Sequence, residues 1–511
     1  MHFHTLLALA LLSSVPAWAA GDFFKIKVID AQTGRGVPLA VLETENHIVH
    51  ITDSAGLIAF HEPGLMDRPV FFHVRSHGYE YAKDGFGYAG LALTPRAGQG
   101  AEVKLRRRNI AERLYRITGA GIYRDSVLLG EPVPLREPVL DAQVLGQDST
   151  LAAVFGGKIF WIWGDTQRAS YPLGNFAMSG ATSALPSAGG LPAGTGIDLE
   201  YFTGKDGFAR GMWERPDKGV IWSDGLLAVK DATGRERLIA HAAHLHDISH
   251  LVAHRLSVFD EKVGRFETVR EYPIEETWRC PLGHPVRVTD ESGDWFYFRA
   301  SRDSHAPFPA VRVRATFDDV RKPGKYEAFT CLAPGTRFDK AATQLARAAD
   351  GRLLYAWRTD TAPLTAEQER ELIAAGKIKP DEARFQPRDV EGGKAPHLHA
   401  GSVNWNAFRK KWVLIASQLG GTSQLGEVWY AEADTVLGPW PSARKILTHD
   451  RYSFYNPVHH AFLDEQDGRI IYFEGTYTNT FSGNPEFTPR YDYNQIMHRL
   501  DLGAPWLGQG G

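Results

Sequence analysis

The sequence predicts an all-β chain, from its turn chemistry, its strand patterning and one hairpin that recurs. Short runs of β-branched and aromatic residues are broken throughout by glycine-containing turns. From about residue 120 onward the same device returns: a strand, a turn containing Gly, then a strand dense in aromatics. It occupies 149–166, 226–244, 284–302, 343–360, 402–418 and 458–477. Intervals of roughly 45 to 75 residues that hold several short strands mark a β-propeller, each unit forming one four-stranded blade. A long β-sandwich, the alternative, has no need of the same hairpin six times. The pattern fits five blades or six, because the 343–360 hairpin leads directly into a segment of another kind.

That segment, 362–387 (APLTAEQERELIAAGKIKPDEARFQP), reads as a helical insertion. Thr365 and Gln368 make a capping box, and Leu372, Ile373 and Ile378 supply an apolar stripe. Ahead of the repeats, residues 22–105 string short strands between T-G, G-V-P and D-S-A-G turns, the pattern of a separate small β-sandwich. The run KLRRRNIAERLYRITG, 104–119, reads as a basic connector in the form of a solvated linker helix, and the linker is assigned to 106–120. The propeller is then assigned to 121–505, with TPRYDYNQIMHRLDL near its end as a closing strand.

At the amino terminus, TLLALALLSSV followed by PAWAA predicts a secretory signal over 1–20, removed near Ala19 or Ala20 and too short to span a bilayer. A buried first strand is its rival. The expected location is secreted or periplasmic, with no membrane partner once the signal is gone. The 57 Lys and Arg against 60 Asp and Glu give a formal charge of -3. Such a balance offers no general polyanion surface, so nucleic acid is not an expected partner. Cys280 and Cys331 are the only cysteines; they would form one disulfide or remain as two buried thiols.

The first hairpin carries the chemistry. If Gly156-Gly157 is a two-residue turn, Asp148 and Asp165 fall directly opposite each other, with Cβ atoms about 5 Å apart on one face. Like charges set opposite each other are unfavourable, so structure alone would avoid the arrangement. Crowded carboxyls have their pKa values driven apart, which separates an acid from a base. Glycoside hydrolysis needs such a pair about 5 to 10 Å apart, and close spacing favours retention of configuration. Trp161 and Trp163 flank the pair and would stack on a sugar ring. The alternative is that Asp148 caps its strand through Ser149 and Thr150 while Asp165 forms an Asx-turn.

The sequences GQDST and GDTQ around this aromatic hairpin resemble the first blade of secreted propeller glycosidases of the endo-D-arabinanase type. They are more distantly similar to the arabinanase, xylosidase and fructosidase propellers. The resemblance implies that Asp148 and Asp165 are the catalytic carboxylates. The run SQLGGTSQLGEVWYAEADTVLGPW, 417–440, resembles the outer part of an arabinanase or xylosidase blade, where a glutamate from a later blade is the general acid; Glu427 and Glu474 are the positions that could play it here. The amino-terminal motifs D-x-x-TG-x-GVP, TDSAG and FFHVRSHGYEY resemble the transthyretin-like or carboxypeptidase-regulatory-like sandwich. Such modules accompany secreted enzymes and do no chemistry.

Other candidates are histidines at two-residue or adjacent spacing, His397 with His399 and His459 with His460. They would bind substrate hydroxyls; no third metal ligand follows from spacing, so no metal site is assigned. Tyr477 and Arg490 are further substrate-binding candidates, Arg490 alternatively pairing with a nearby Asp. No cofactor is required, and a structural calcium is compatible with related propellers. Together these readings predict a secreted glycoside hydrolase of poly- or oligosaccharides. A glycan-binding adhesion propeller, or a polysaccharide lyase built on His459, His460 and Tyr477, are the competing classes.

Overall fold

The computed structural model describes residues 20–247, 250–422 and 424–507, and the predicted signal lies outside these but for Ala20. Residues 24–107 form two four-stranded sheets. Phe24–Asp30 pairs antiparallel with Leu57–Phe60 and parallel with Gly100–Arg107; Val41–Thr44 pairs with Val49–Ile51 and Val70–Arg75. Ile26, Val28, Phe60, Phe72 and Val103 are buried between them. The TDSAG turn faces outward from this unit into the rest of the chain. Asp53 Oδ2 accepts hydrogen bonds from Ser126 N and Oγ (both 2.7 Å), and Ser54 Oγ accepts one from Arg116 N (3.1 Å).

Six further sheets follow: a small three-stranded one (Gly146–Gln147, Thr166–Arg168 and Tyr171–Asn175) and five of four or five strands, each of which contains one of the predicted hairpins. Sheet I starts with Thr150–Phe155 and Lys158–Trp163, sheet II with Val220–Lys230 and Glu236–Leu245, and sheet III with Val286–Asp290 and Gly293–Arg299. Sheet IV starts with Leu398–Asn406 and Lys411–Gln418, and sheet V with Ser453–His459 and Ile470–Thr478. The predicted hairpin at 343–360 heads no sheet of its own. Only Ala356–Arg358 is a strand, and it lies at the edge of sheet III. Its polar run TQLARAAD has too few apolar residues to fill a sheet interface, which is why the repeat stops there.

Successive sheets pack face to face. Phe160 and Ile162 of sheet I share a buried cluster with Leu238 and Ala240 of sheet II; Leu256 and Val258 of II meet Phe298 and Val311 of III. Tyr297 of III meets Leu414 and Trp429 of IV, and Ile415 and Tyr430 of IV meet Phe454 and Phe473 of V. Tyr472 and Met497 of V then meet Trp161 and Trp163 of I. The first strands of all five sheets line one cavity of about 220 Å³, through Leu151–Val154, Leu226–Ala228, Arg287, Val403 and Val458 among others.

Two expectations are corrected here. The basic segment 106–120 contains no linker helix: Glu112–Arg116 is a fully buried strand that pairs with Asn494–Asp501 as the outer member of sheet V. Alternation of Leu114 with basic residues looks like a solvated helix, yet both neighbouring arginines are held. Arg113 donates to Pro38 O (3.1 Å) and His77 O (2.6 Å), and Arg116 to Ala120 O (2.9 Å). The chain from which the five sheets are built therefore begins before residue 112, not at 121. Within 362–387 lies helix Ala366–Ala374, opened by the Thr365/Gln368 capping box. Cys280 and Cys331 are free thiols in separate apolar clusters. No helix among the described residues is long and apolar enough to cross a membrane.

Candidate active site

The first hairpin turns on Gly156 and Gly157 at φ 58° and 76°, the left-handed geometry a two-residue turn demands. Its register runs unbroken from Phe155 opposite Lys158 to Thr150 opposite Trp163, and resumes at Gln147 opposite Thr166 and Gly146 opposite Gln167. Asp148 and Asp165 therefore face each other, and Asp148 N donates to Asp165 O (3.0 Å). Between the two paired stretches lies an irregularity. Ser149 has φ 45°, and Gly164 N donates to Asp148 O (2.7 Å). A Cβ on Gly164 would lie 3.2 Å from Asp148 O, so the glycine lets the two chains close over the pair.

Every residue of GQDST has a task in this geometry. Gly146 abuts Tyr493 O, which a Cβ would meet at 2.5 Å. Gln147 is wholly buried; it donates to Ser179 Oγ (2.6 Å) and accepts from Tyr201 OH (2.7 Å). Ser149 N donates to Thr476 Oγ1 (2.9 Å), and Ser149 Oγ accepts from Asn456 Nδ2 (2.7 Å). Asn456 is itself left-handed at φ 48°, so two strained residues from sheets I and V brace each other beside the carboxyls.

Both aspartates are partly open to solvent and yet surrounded by protein on most sides. Burial raises the Asp148 pKa to about 6, the negative charge of Asp165 adding to the rise, while the Ser149 and Tyr455 hydroxyls offset part of it. The Tyr455 hydroxyl is near enough to act on the carboxyl without forming a well-aligned bond. Burial also raises Asp165, and the indole N–H of Trp222 works against it. Among the described residues neither aspartate forms an ion pair. On the neighbouring sheets, Asp224 accepts from Gly283 N (2.6 Å) and Arg299 Nη2 (2.5 Å). Burial raises Asp224, but Arg299, together with smaller contributions from His241 and His284, keeps the carboxyl below its ordinary range. Beyond it, His305 and His399 stack with centroids 4.7 Å apart, and burial drives His399 down to about 3.

The remaining sequence candidates fall elsewhere. Trp161 and Trp163 are fully buried and stack on each other between sheets V and I, with Trp161 Nε1 donating to Ser183 Oγ (2.8 Å). Residues two apart share a strand face, and this face is the packed one, so neither ring meets a sugar. Trp161→Ala should cost about 3–5 kcal/mol of stability, visible as a lowered Tm, rather than act through KM. Glu474 is also fully buried: His460 Nε2 lies 2.7 Å from its Oε1, and Thr150 Oγ1 donates to its Oε2 (3.1 Å). Glu427 is buried and holds the preceding loop, accepting from Thr422 N (2.9 Å) and Thr422 Oγ1. Both glutamates are thus held in the interior rather than open to solvent.

His459 is buried with Nε2 2.9 Å from Asp464 Oδ1; it and His460 line the cavity shared by the five sheets, which neither Asp148 nor Asp165 lines. Tyr477 is buried against the amino-terminal unit, its hydroxyl 2.7 Å from His77 Nδ1. Arg490 pairs with Asp125 (2.7 Å) and donates to Ile51 O (2.5 Å), so it too fastens the two units together. His397 is half-buried near His399, with Arg370 and Glu367 as its charged neighbours. Trp222 and Tyr455, which act on the aspartates, are residues that sequence reasoning passed over, as are Asp224, Arg299 and His305 from sheets II and III. Only Tyr455 left a sign, in the YNPVHH run whose histidines drew attention instead. A second concavity of about 250 Å³ lies at the turn end of the first hairpin, where Arg136, Lys158, Asp198 and Glu200 already pair among themselves.

No family model matches the chain, and no curated protein matches it. Among solved structures it is similar to a GH43 β-1,3-galactosidase at 6% identity and TM-score 0.37, covering 76% of this chain and 60% of that one. An exo-1,5-α-L-arabinanase from a bovine ruminal metagenomic library overlaps at 11% identity and TM-score 0.33, covering 70% and 94%. A GH43_1 enzyme from Xanthomonas citri, complexed with xylotriose, overlaps at 13% identity and TM-score 0.33, covering 70% and 88%.

Proposed function

We propose that the five sheets form a closed five-bladed β-propeller and that the chain is an exported glycoside hydrolase of poly- or oligosaccharides, with Asp148 and Asp165 as its catalytic pair. The observation that carries this reading is the facing, unpaired, partly open aspartates with Asp148 raised to about 6. Five consecutive apolar interfaces and the pairing of Glu112–Arg116 with Asn494–Asp501 support the closed ring. In this reading Asp148, holding its proton, gives it to the glycosidic oxygen as the bond from that oxygen to the anomeric carbon breaks. Asp165, its carboxylate steadied by Trp222, attacks the same carbon. Water then displaces Asp165 and returns a proton to Asp148. Trp222, which is only half-buried, supplies the aromatic surface that Trp161 and Trp163 were expected to give.

A binding-only propeller would tie its acidic pair into salt bridges, and the lyase reading loses its residues to the buried partners of His459, His460 and Tyr477. Because the acid must be protonated, kcat/KM should fall as pH rises through about 6. A pH–rate profile on a cleaved glycan checks this; a descending limb above pH 8 contradicts the Asp148 role. The products should be saturated sugars, and an unsaturated product absorbing in the ultraviolet would establish a lyase instead.

A further inference from the structure

Between sheets II and III three donors converge that lie far apart in sequence: His241 on Glu236–Leu245, His254 on Leu251–Asp260, and Cys280 on the segment entering sheet III. One donor atom of each lies within 4.8 Å of the other two, and all three residues are no more than 1% exposed. His254 Nε2 is 2.6 Å from Pro273 O; a carbonyl only accepts, so this nitrogen bears the proton and Nδ1 presents a lone pair. That lone pair points at His241 Nε2, 3.1 Å away. The opposite nitrogen, His241 Nδ1, is buried with no partner, and so is the Tyr272 hydroxyl. The Tyr272 ring centroid lies 5.2 Å from that of His254 and 6.2 Å from that of His241.

As core packing alone, the cluster is poorly satisfied. One imidazole–imidazole bond leaves two buried polar atoms orphaned, each at a cost of about 1–3 kcal/mol. As a ligand set it is coherent: a ring nitrogen fixed by a backbone carbonyl on its far side is how metal-binding histidines are oriented. Burial disfavours the charged form of all three groups: it leaves both imidazoles neutral, the form that binds metal, and raises the Cys280 thiol well above its ordinary range, so an ion must displace that proton to bind. Asp224 contributes the largest charge felt by His241 and by Cys280, and it favours a cation there; Arg299 and Arg302 oppose it. Two nitrogens and a sulfur with no carboxylate suit a borderline-soft ion rather than Ca²⁺ or Mg²⁺.

We infer that His241, His254 and Cys280 bind Zn²⁺, with the Tyr272 hydroxyl or water as fourth donor, and that the ion staples sheet II to the entry of sheet III behind the Asp224–Arg299 wall. The inference is independent of the hydrolase reading, since no step of that chemistry touches the cluster.

The test uses the full chain after dialysis against a chelator. Titrated Zn²⁺ should bind at about one equivalent per chain and raise Tm, because a ligand of the native state alone stabilises it. Co²⁺ in its place should give a thiolate-to-cobalt charge-transfer band in the near ultraviolet. Cys280→Ala should abolish that band and weaken Zn²⁺ binding by about 10-fold or more, while Cys331→Ala leaves both unchanged. His254→Gln serves if Cys280→Ala fails to fold. A folded wild type that shows no Co²⁺–thiolate band, or a folded Cys280→Ala chain that binds Zn²⁺ as the wild type does, overturns the proposal.

Discussion

Asp148→Asn should lower kcat on any glycan the wild-type chain cleaves by about 10²–10⁴-fold, the contribution of a positioned general acid. The same change should stabilise the fold, but only in one pH range. In the native state the Asp148 pKa stands at about 6 against an ordinary 3.8, so the folded chain holds this proton more tightly than the unfolded chain. Stability from this group is fully present below pH 4 and is lost as pH rises through about 6. The amide does not ionise, so at pH 8 the variant should be more stable than wild type by about 1–2 kcal/mol, after allowing for the partial solvent access of the group. At pH 4 the difference should vanish. Thermal unfolding at the two pH values checks this; a variant destabilised equally at both would mean that Asp148 is a structural cap.

Removing residues up to Thr118 should abolish folding, whereas removing only residues up to Arg108 should leave a folded chain of lower Tm. The shorter truncation discards the amino-terminal sandwich but keeps Glu112–Arg116. The longer one strips that strand from Asn494–Asp501 and takes Leu114, Tyr115 and Ile117 out of the interface between sheets V and I. Burial of each such side chain contributes about 1.5–3 kcal/mol, and a bare strand edge is opened besides. That loss is comparable to the 5–15 kcal/mol that holds an ordinary domain together. The milder truncation still orphans groups across the junction, including Tyr477, Arg113 and Asp125, which lose His77, Pro38 O and Ala59 N. Size-exclusion chromatography and far-ultraviolet circular dichroism of the two fragments separate these outcomes. A soluble, folded chain beginning at Gly119 would remove the closing role of Glu112–Arg116.

Hairpins were legible in the sequence because their signals are local. The Gly156-Gly157 turn fixes register within a few residues, and register alone puts Asp148 opposite Asp165. The capping box at Thr365 is likewise complete within four positions. What the sequence hid depends on partners far along the chain. Nothing near Arg113 says that its charge will be met by carbonyls of Pro38 and His77, so a buried edge strand looks like a solvated connector. Trp161 and Trp163 share a face with each other, but whether that face meets a neighbouring sheet or a ligand is decided by sheet V, some 300 residues later. His241, His254 and Cys280 follow no recognisable ligand spacing and meet only once sheets II and III are packed. Trp222 and Asp224 lie on sheet II and Arg299 on sheet III, so they come together only when those sheets pack.

Release of reducing ends from a panel of plant, algal and bacterial glycans, by the wild-type chain and by its Asp148→Asn and Asp165→Asn forms, bears most directly on the facing carboxyls. The wild type should cleave at least one of these glycans, and both folded variants should lose that activity. Undiminished release by either folded variant would show that the pair does not cleave the sugar bond.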